Sequence, residues 1–112
     1  IYKMRKTKNF KGAKFIHILS PCPPGWKSNP EYTIKLARLA VHTKVFPLYE
    51  VENADKYTIN IEPQDIPVAE YIKYQGRFSH LKEREINIIQ QGVNADWETL
   101  LRKAKRIMRR TG

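Results

Sequence analysis

Residues 15–26 read Phe15-Ile16-His17-Ile18-Leu19-Ser20-Pro21-Cys22-Pro23-Pro24-Gly25-Trp26. Phe15, Ile16, Ile18 and Leu19 put apolar groups on both pleat faces of an extended segment over residues 14–19. A strand that is apolar on both faces is one covered on both sides, as in parallel α/β sheets. Pro21, Pro23 and Pro24 then fix φ at three positions and turn the chain out of that strand along a stiff path. The turn carries Cys22, the single cysteine of the chain. A thiol on a rigid loop at a strand end can be held as a metal ligand or a nucleophile with little ordering cost. One thiol does not build a metal site, so co-ligands of Cys22 are expected on sequence outside this chain. His17, inside the strand, reads as a core histidine with a satisfied ring.

Downstream, Ser28-Asn29-Pro30-Glu31 is a helix start. Asn29 caps, Pro30 suits the first helical position, and Glu31 faces the positive end of the helix dipole. This helix is expected to reach about His42, with Ile34, Leu36, Ala37, Leu39, Ala40 and Val41 forming a broad apolar surface. Residues 46–51 read as the next strand, with Pro47 at its start or edge. Strand, helix and strand at this spacing predict a βαβ unit with a right-handed crossover. Glu52-Asn53-Ala54-Asp55 is a turn, and residues 57–61 alternate as a half-exposed strand that pairs with 47–51 in a hairpin. Pro63 and Pro67 bracket a loop, and residues 68–74 form a short helix ended by Gly76. Residues 83–109 give the clearest helix: Ile86, Ile89, Val93, Trp97, Leu100, Leu101, Ala104 and Met108 recur at three- and four-residue steps. Upstream, residues 1–13 read as the end of a helix running into a turn at Gly12.

With 112 residues the chain is one domain or a piece of a larger one. It begins at Ile1 rather than Met, which predicts a cut or processed start. No apolar run approaches the ~20 residues of a membrane span, and no signal-peptide pattern is visible. A lone cysteine excludes an intrachain disulfide framework and predicts an intracellular, cytoplasmic setting. The net charge of +10 is carried by the ends. Residues 1–14 hold six Lys/Arg and no acid, and residues 98–112 hold six Lys/Arg and one Glu. Residues 15–97 hold nine bases and ten acids. Basic ends suit nucleic acid or an acidic partner, but a solvated face or an acidic neighbouring subunit explains them with fewer assumptions.

Several chemistries lack their motifs. There is no Gly-rich phosphate loop, no C-x-x-C and no H-E-x-x-H. Cys22 with His17 or His42 can be drawn as a nucleophile–base pair, but nothing in the spacing brings them within hydrogen-bond reach. Glu50 and Glu52 share one strand face and read as a solvated strand end rather than an acid–base pair. Tyr71, Tyr74, Arg77 and Phe78 can be drawn as a base-stacking surface. Packing is the simpler account, because Tyr71 and Tyr74 lie three apart on a helix.

The run from Phe15 to Trp26 resembles the C-terminal part of the β subunit of pyruvate:ferredoxin oxidoreductase (pyruvate synthase), in the 2-oxoacid:ferredoxin oxidoreductase family. The resemblance continues through Leu36-Ala37-Arg38-Leu39-Ala40-Val41 and Phe46-Pro47-Leu48-Tyr49-Glu50-Val51-Glu52-Asn53. It returns in Pro67-Val68-Ala69-Glu70-Tyr71-Ile72 and in Tyr74-Gln75-Gly76-Arg77-Phe78-Ser79-His80-Leu81. It covers residues 10–100, and its most specific parts are the Pro-Cys-Pro-x-Gly-Trp loop and the Gln-Gly-Arg-Phe segment.

The resemblance implies an α/β fold: the C-terminal part of a thiamine-diphosphate-binding parallel-sheet domain over residues 1–53. A C-terminal extension over residues 54–112 adds a hairpin strand and a long helix. It implies oxidative decarboxylation of a 2-oxoacid, pyruvate first, to an acyl-CoA, with electrons passing through a 4Fe-4S cluster to ferredoxin. Cys22 then supplies one of the four cluster thiolates, the only cofactor-binding and metal-ligating residue assigned here, and no residue is assigned a catalytic role. Thiamine diphosphate and Mg²⁺ belong to the complete subunit, through residues not present in this chain. The implied partners are the α and other subunits, ferredoxin, coenzyme A and the 2-oxoacid, with no membrane. The alternative is a basic module that binds nucleic acid or docks subunits without catalysis.

Overall fold

A computed structural model describes residues 1–111, with side chains through residue 105. Helix α1, Tyr2–Thr7, comes first. A long irregular stretch follows, turning at Gly12, whose φ of +93° is left-handed backbone that suits glycine. The single turn α2, Pro23–Trp26, ends it. Asn29 then caps as expected: its Oδ1 accepts the Glu31 N–H at 3.1 Å. The capped element is a 3₁₀ turn, Pro30–Tyr32, that leads into α3, Thr33–His42. Leu36 and Ala40 on the inner face of α3 are fully buried, while Ile34 on its outer face is 68% exposed.

Strands β1, Tyr49–Glu52, and β2, Lys56–Ile59, form an antiparallel hairpin with Tyr49 opposite Ile59 and Glu52 opposite Lys56. Asn53 and Ala54 both adopt positive φ in the turn between them, the backbone hand that matches the twist of a tight hairpin. Helix α4 is Val68–Ile72, a second 3₁₀ turn is Gly76–Phe78, and α5 is Glu83–Thr111. The Gln90 side chain accepts the Val68 N–H at 2.7 Å, tying α5 to the start of α4. Trp97 is buried, and Ile86, Ile89, Val93 and Leu100 are half-buried beside it, so the stripe read from the sequence is the packed face of α5. The side chain of Met108 lies outside the described residues.

The core joins both halves of the chain. Trp26, Leu36, Ala40 and Tyr71 cluster together, with Leu19, Tyr32, Leu39, Phe46 and Tyr74 packed around them. Residues 14–19 differ from the strand read in the sequence: they form no regular element, and Phe15 is 88% exposed. The βαβ crossover is therefore not formed among the described residues, where the sheet is the two-stranded hairpin. The reason is pairing. A strand meant for the inside of a parallel sheet needs neighbours on both edges, and none lies beside residues 14–19 here. His17 differs too. It is exposed rather than in the core, and its ring meets Phe46 edge-on at 5.0 Å.

Both basic ends reach the hairpin. On the β1 side, Lys3 Nζ donates to the Tyr49 carbonyl at 3.1 Å, and Lys6 Nζ lies 2.6 Å from Glu50 and 2.8 Å from Glu52. On the β2 side, Lys103 Nζ sits 5.4 Å from the centre of the Tyr57 ring. Glu50 and Glu52 are thus half-buried partners of Lys6, not a solvated strand end. The Glu50 Oε1 atom is buried without a hydrogen-bond partner.

Candidate functional site

Cys22 stands at the N-cap of α2 in extended backbone, with Pro23 and Pro24 in the first helical positions. The proline rings suit that turn, since the amide hydrogens they lack would be unpaired there in any case. The Trp26 N–H donates to the Cys22 carbonyl at 2.7 Å, and the Ser28 N–H to the Pro23 carbonyl at 3.0 Å. Lys27 closes the turn in left-handed backbone at φ +50°. A Cβ built on Gly25 would lie 3.2 Å from Cys22 Sγ, so the glycine leaves room for the sulfur. The thiol is free and exposed.

A second segment, fifty residues on, closes over this turn. The Gly76 N–H donates to the Lys27 carbonyl at 2.8 Å. A Cβ on Gly76 would come within 2.8 Å of Lys27 Cβ, so the two backbones meet where a side chain does not fit. Gln75 is buried, and its amide is used twice: Nε2 donates to the Tyr71 carbonyl at 2.7 Å, and Oε1 accepts from Arg77 Nε at 2.8 Å. The Arg77 guanidinium stacks 4.2 Å from the centre of the Trp26 ring and 4.5 Å from that of Phe78. Tyr71 meets Trp26 edge-to-face, with centroids 6.3 Å apart at 81°. Burial pushes the Tyr71 phenol above its ordinary pKa, and the nearby Arg77 charge opposes that rise.

The Pro21–Trp26 and Gln75–Phe78 segments therefore form one unit. The sequence pattern does not encode their union; Gly76, where a Cβ does not fit, is the one residue type there that can mark a close approach. Tyr71, Tyr74, Arg77 and Phe78 act as packing groups. Tyr74 packs on Tyr32 at 5.0 Å, and the Lys35 ammonium at its hydroxyl, 2.8 Å away, holds the phenol below its ordinary pKa. No nucleophile–base pair joins Cys22 to the histidines described. His17 rests on Phe46, and His42 Nδ1 accepts the Gln64 N–H at 3.3 Å. Among the described residues no three His, Cys, Asp or Glu side chains gather to hold a metal. Cys22 offers a metal centre one exposed sulfur on a proline-built turn, and the described residues do not supply the remaining donors. No helix among them is long and apolar enough to cross a membrane.

No protein-family model matches the chain. Among curated proteins it is 41% identical over 108 residues to the ketoisovalerate oxidoreductase subunit VorB of Pyrococcus abyssi, covering 92% of this chain and 34% of that protein. It is 44% identical over 93 residues to the pyruvate synthase subunit PorB of Methanocaldococcus jannaschii, covering 82% of this chain and 31% of that protein. For the pyruvate synthase subunit PorB of Thermotoga maritima the identity is 39% over 105 residues, with 88% and 32% covered. The chain spans about a third of the length of the curated relatives it matches.

Proposed function

As a relative of the β subunits of the 2-oxoacid:ferredoxin oxidoreductases, this chain is, we propose, part of such a subunit, with Cys22 as one thiolate ligand of its iron–sulfur cluster. The enzyme it would serve decarboxylates a 2-oxoacid oxidatively to an acyl-CoA and delivers electrons to ferredoxin. Relatives named for pyruvate and for ketoisovalerate match it at similar identity, which supports the 2-oxoacid class and leaves the side chain of the substrate open between small and branched. Thiamine diphosphate, when bound, supplies the carbanion chemistry, and the cluster the one-electron steps.

The part of this chain is narrower. Cys22 gives up its thiol proton on ligation, and its turn holds the sulfur in place beforehand, so little ordering is needed at binding. A cytoplasmic location and an assembly with α and other subunits go with this reading. So does a parallel sheet in the complete subunit, to which residues 14–19 would add a strand. The observation that carries the proposal is the exposed Cys22 thiol on a proline-built turn clamped by the Gln75–Phe78 segment.

Cys22→Ser in the complete subunit tests it. Serine keeps the shape of the side chain, but a hydroxyl is a far poorer iron ligand than a thiolate. Iron content and ferredoxin reduction should both fall while the fold is kept. Full iron content and normal ferredoxin reduction in the variant would sink the ligand assignment and leave a docking module as the better reading.

A further inference from the structure

Resting on the reading of Cys22 as a metal-ligating thiol, we propose that Arg77 is its positioning residue: the guanidinium, stacked between Trp26 and Phe78, locks the turn that presents the sulfur. Cys22 and Trp26 are the two ends of one helical turn, joined by the 2.7 Å bond from the Trp26 N–H to the Cys22 carbonyl. Wherever the Trp26 ring is fixed, the cysteine at the other end of the turn is fixed with it. The Trp26 ring is held on two sides. Tyr71 meets it edge-to-face, and Arg77 covers it at 4.2 Å.

Arg77 is in turn held from three directions. Phe78 lies against it at 4.5 Å, Gln75 Oε1 accepts from its Nε at 2.8 Å, and the preceding Gly76 N–H is bonded to Lys27 at 2.8 Å. A planar cation between two aromatic faces that also donates from Nε is a task an arginine performs and a lysine does not. The contacts of Arg77 are with Gln75, Trp26 and Phe78 and it makes no hydrogen bond to Cys22, so it acts through Trp26.

The complete subunit, first without its cluster, provides the test. Arg77→Met keeps an unbranched apolar stem and removes the guanidinium, and Arg77→Lys keeps the charge without the plane. Hydrogen exchange across residues 26–28 should rise about tenfold in both variants, the scale expected from losing one part-buried cation–π stack. Exchange along α5 should stay as in the unaltered subunit. Alkylation of Cys22 by iodoacetamide, mapped by peptide mass, should change with the exchange at 26–28. With the cluster loaded, its midpoint potential and the g-values of its reduced state should move in both variants.

Unchanged exchange at 26–28 in Arg77→Met overturns the proposal. Exchange in Arg77→Lys equal to that of the unaltered subunit overturns it too, because the plane would then not matter. Loss of α5 protection in both variants would make Arg77 a general core residue and overturn its positioning role. A loaded cluster with unaltered potential and g-values in both variants would cut the link to the sulfur. If Cys22→Ser kept its iron, the ligand reading would fall, while the exchange results would still report whether Arg77 holds the turn.

Discussion

Gly76→Ala puts a methyl group where the two segments of the site meet. The new Cβ would lie 2.8 Å from Lys27 Cβ and 2.9 Å from the Lys27 carbonyl oxygen. Carbon pairs settle at ~3.5–4.0 Å, so the segments must part by ~0.7 Å or more. Neither obstacle can swing aside. Both are fixed to the Lys27 backbone, which is itself held in left-handed conformation by the bond from the Ser28 N–H to the Pro23 carbonyl. Parting stretches the 2.8 Å bond from Gly76 to Lys27 to where it no longer counts as one. Losing that bond costs ~0.5–1.5 kcal/mol, and the overpacking ~1–3 kcal/mol. Alanine returns ~0.4–1 kcal/mol by restricting the unfolded chain, since Gly76 is not among the positive-φ positions. The net loss is about 0.5–4 kcal/mol, and its middle corresponds to a fall in melting temperature of roughly 10 °C for a domain of this size. Gly92→Ala is the internal control. It lies inside α5 with nothing within 4 Å of its added Cβ, so it should stabilise by ~0.5–1 kcal/mol. Thermal unfolding followed by circular dichroism reads both. A Gly76→Ala protein that melts at or above the unaltered temperature would refute the close approach.

Trp97→Ala should cost ~3–5 kcal/mol, as removal of a buried indole does, and should leave the alkylation rate of Cys22 unchanged because the ring packs on other elements. An unaltered melting temperature and unaltered subunit association would mean that α5 does not depend on its buried stripe. Acid should release α1 from the hairpin. The Lys6 ammonium hydrogen-bonded to Glu52 holds that carboxyl below its ordinary value of 4.5, so its contribution is full above that value and is lost as pH falls through the lower folded value. Lys6 is shifted upward, by Glu50 first and Glu52 second, so its contribution is full below the ordinary lysine range and fades only above it. Exchange of the α1 amides, corrected for intrinsic rate, should rise on acidification, and Lys6→Gln should remove that pH response. An identical response in Lys6→Gln would assign it to other groups.

Local signals were legible where one short stretch settles the outcome. The Asn29 cap, the α3 end at His42, the hairpin turn at residues 53–54 and the packed stripe of α5 all follow from neighbours within a few residues. The site was half legible. Three prolines and a lone thiol marked the turn, but the clamp on it joins Lys27 to Gly76 and Trp26 to Arg77. Those contacts span about fifty residues, and no periodicity encodes them. Lys6 with Glu50 and Glu52 is hidden for the same reason: the carboxylates pattern with their own strand, and their partner comes from the distant α1.

The stretch at residues 14–19 carries a different lesson, because there the pattern and the observed conformation pull apart. Phe15, Ile16 and Ile18 are exposed, and full burial of such side chains stabilises by ~1.5–3 kcal/mol each. Scaled by their exposures of 88%, 38% and 64%, the three together stand to gain about 3–6 kcal/mol, a large share of the ~5–15 kcal/mol that holds a whole domain. A segment with that much to gain is patterned for burial, and the hairpin does not provide it: β1 and β2 pair with each other, and no described strand lies beside residues 14–19. The outer face of α3 has the same character: Ile34, Ala37 and Val41 line an apolar groove with Pro21, Leu48 and Ile61. Pro21, next to Cys22, lines that groove, so whatever sheet covers it in the complete subunit would also brace the turn. Backbone exchange at residues 15–19 separates the two cases. Strong protection in the complete subunit, against rapid exchange in the isolated chain, is expected if a sheet takes up the strand, and equally fast exchange in both would leave the segment a surface linker.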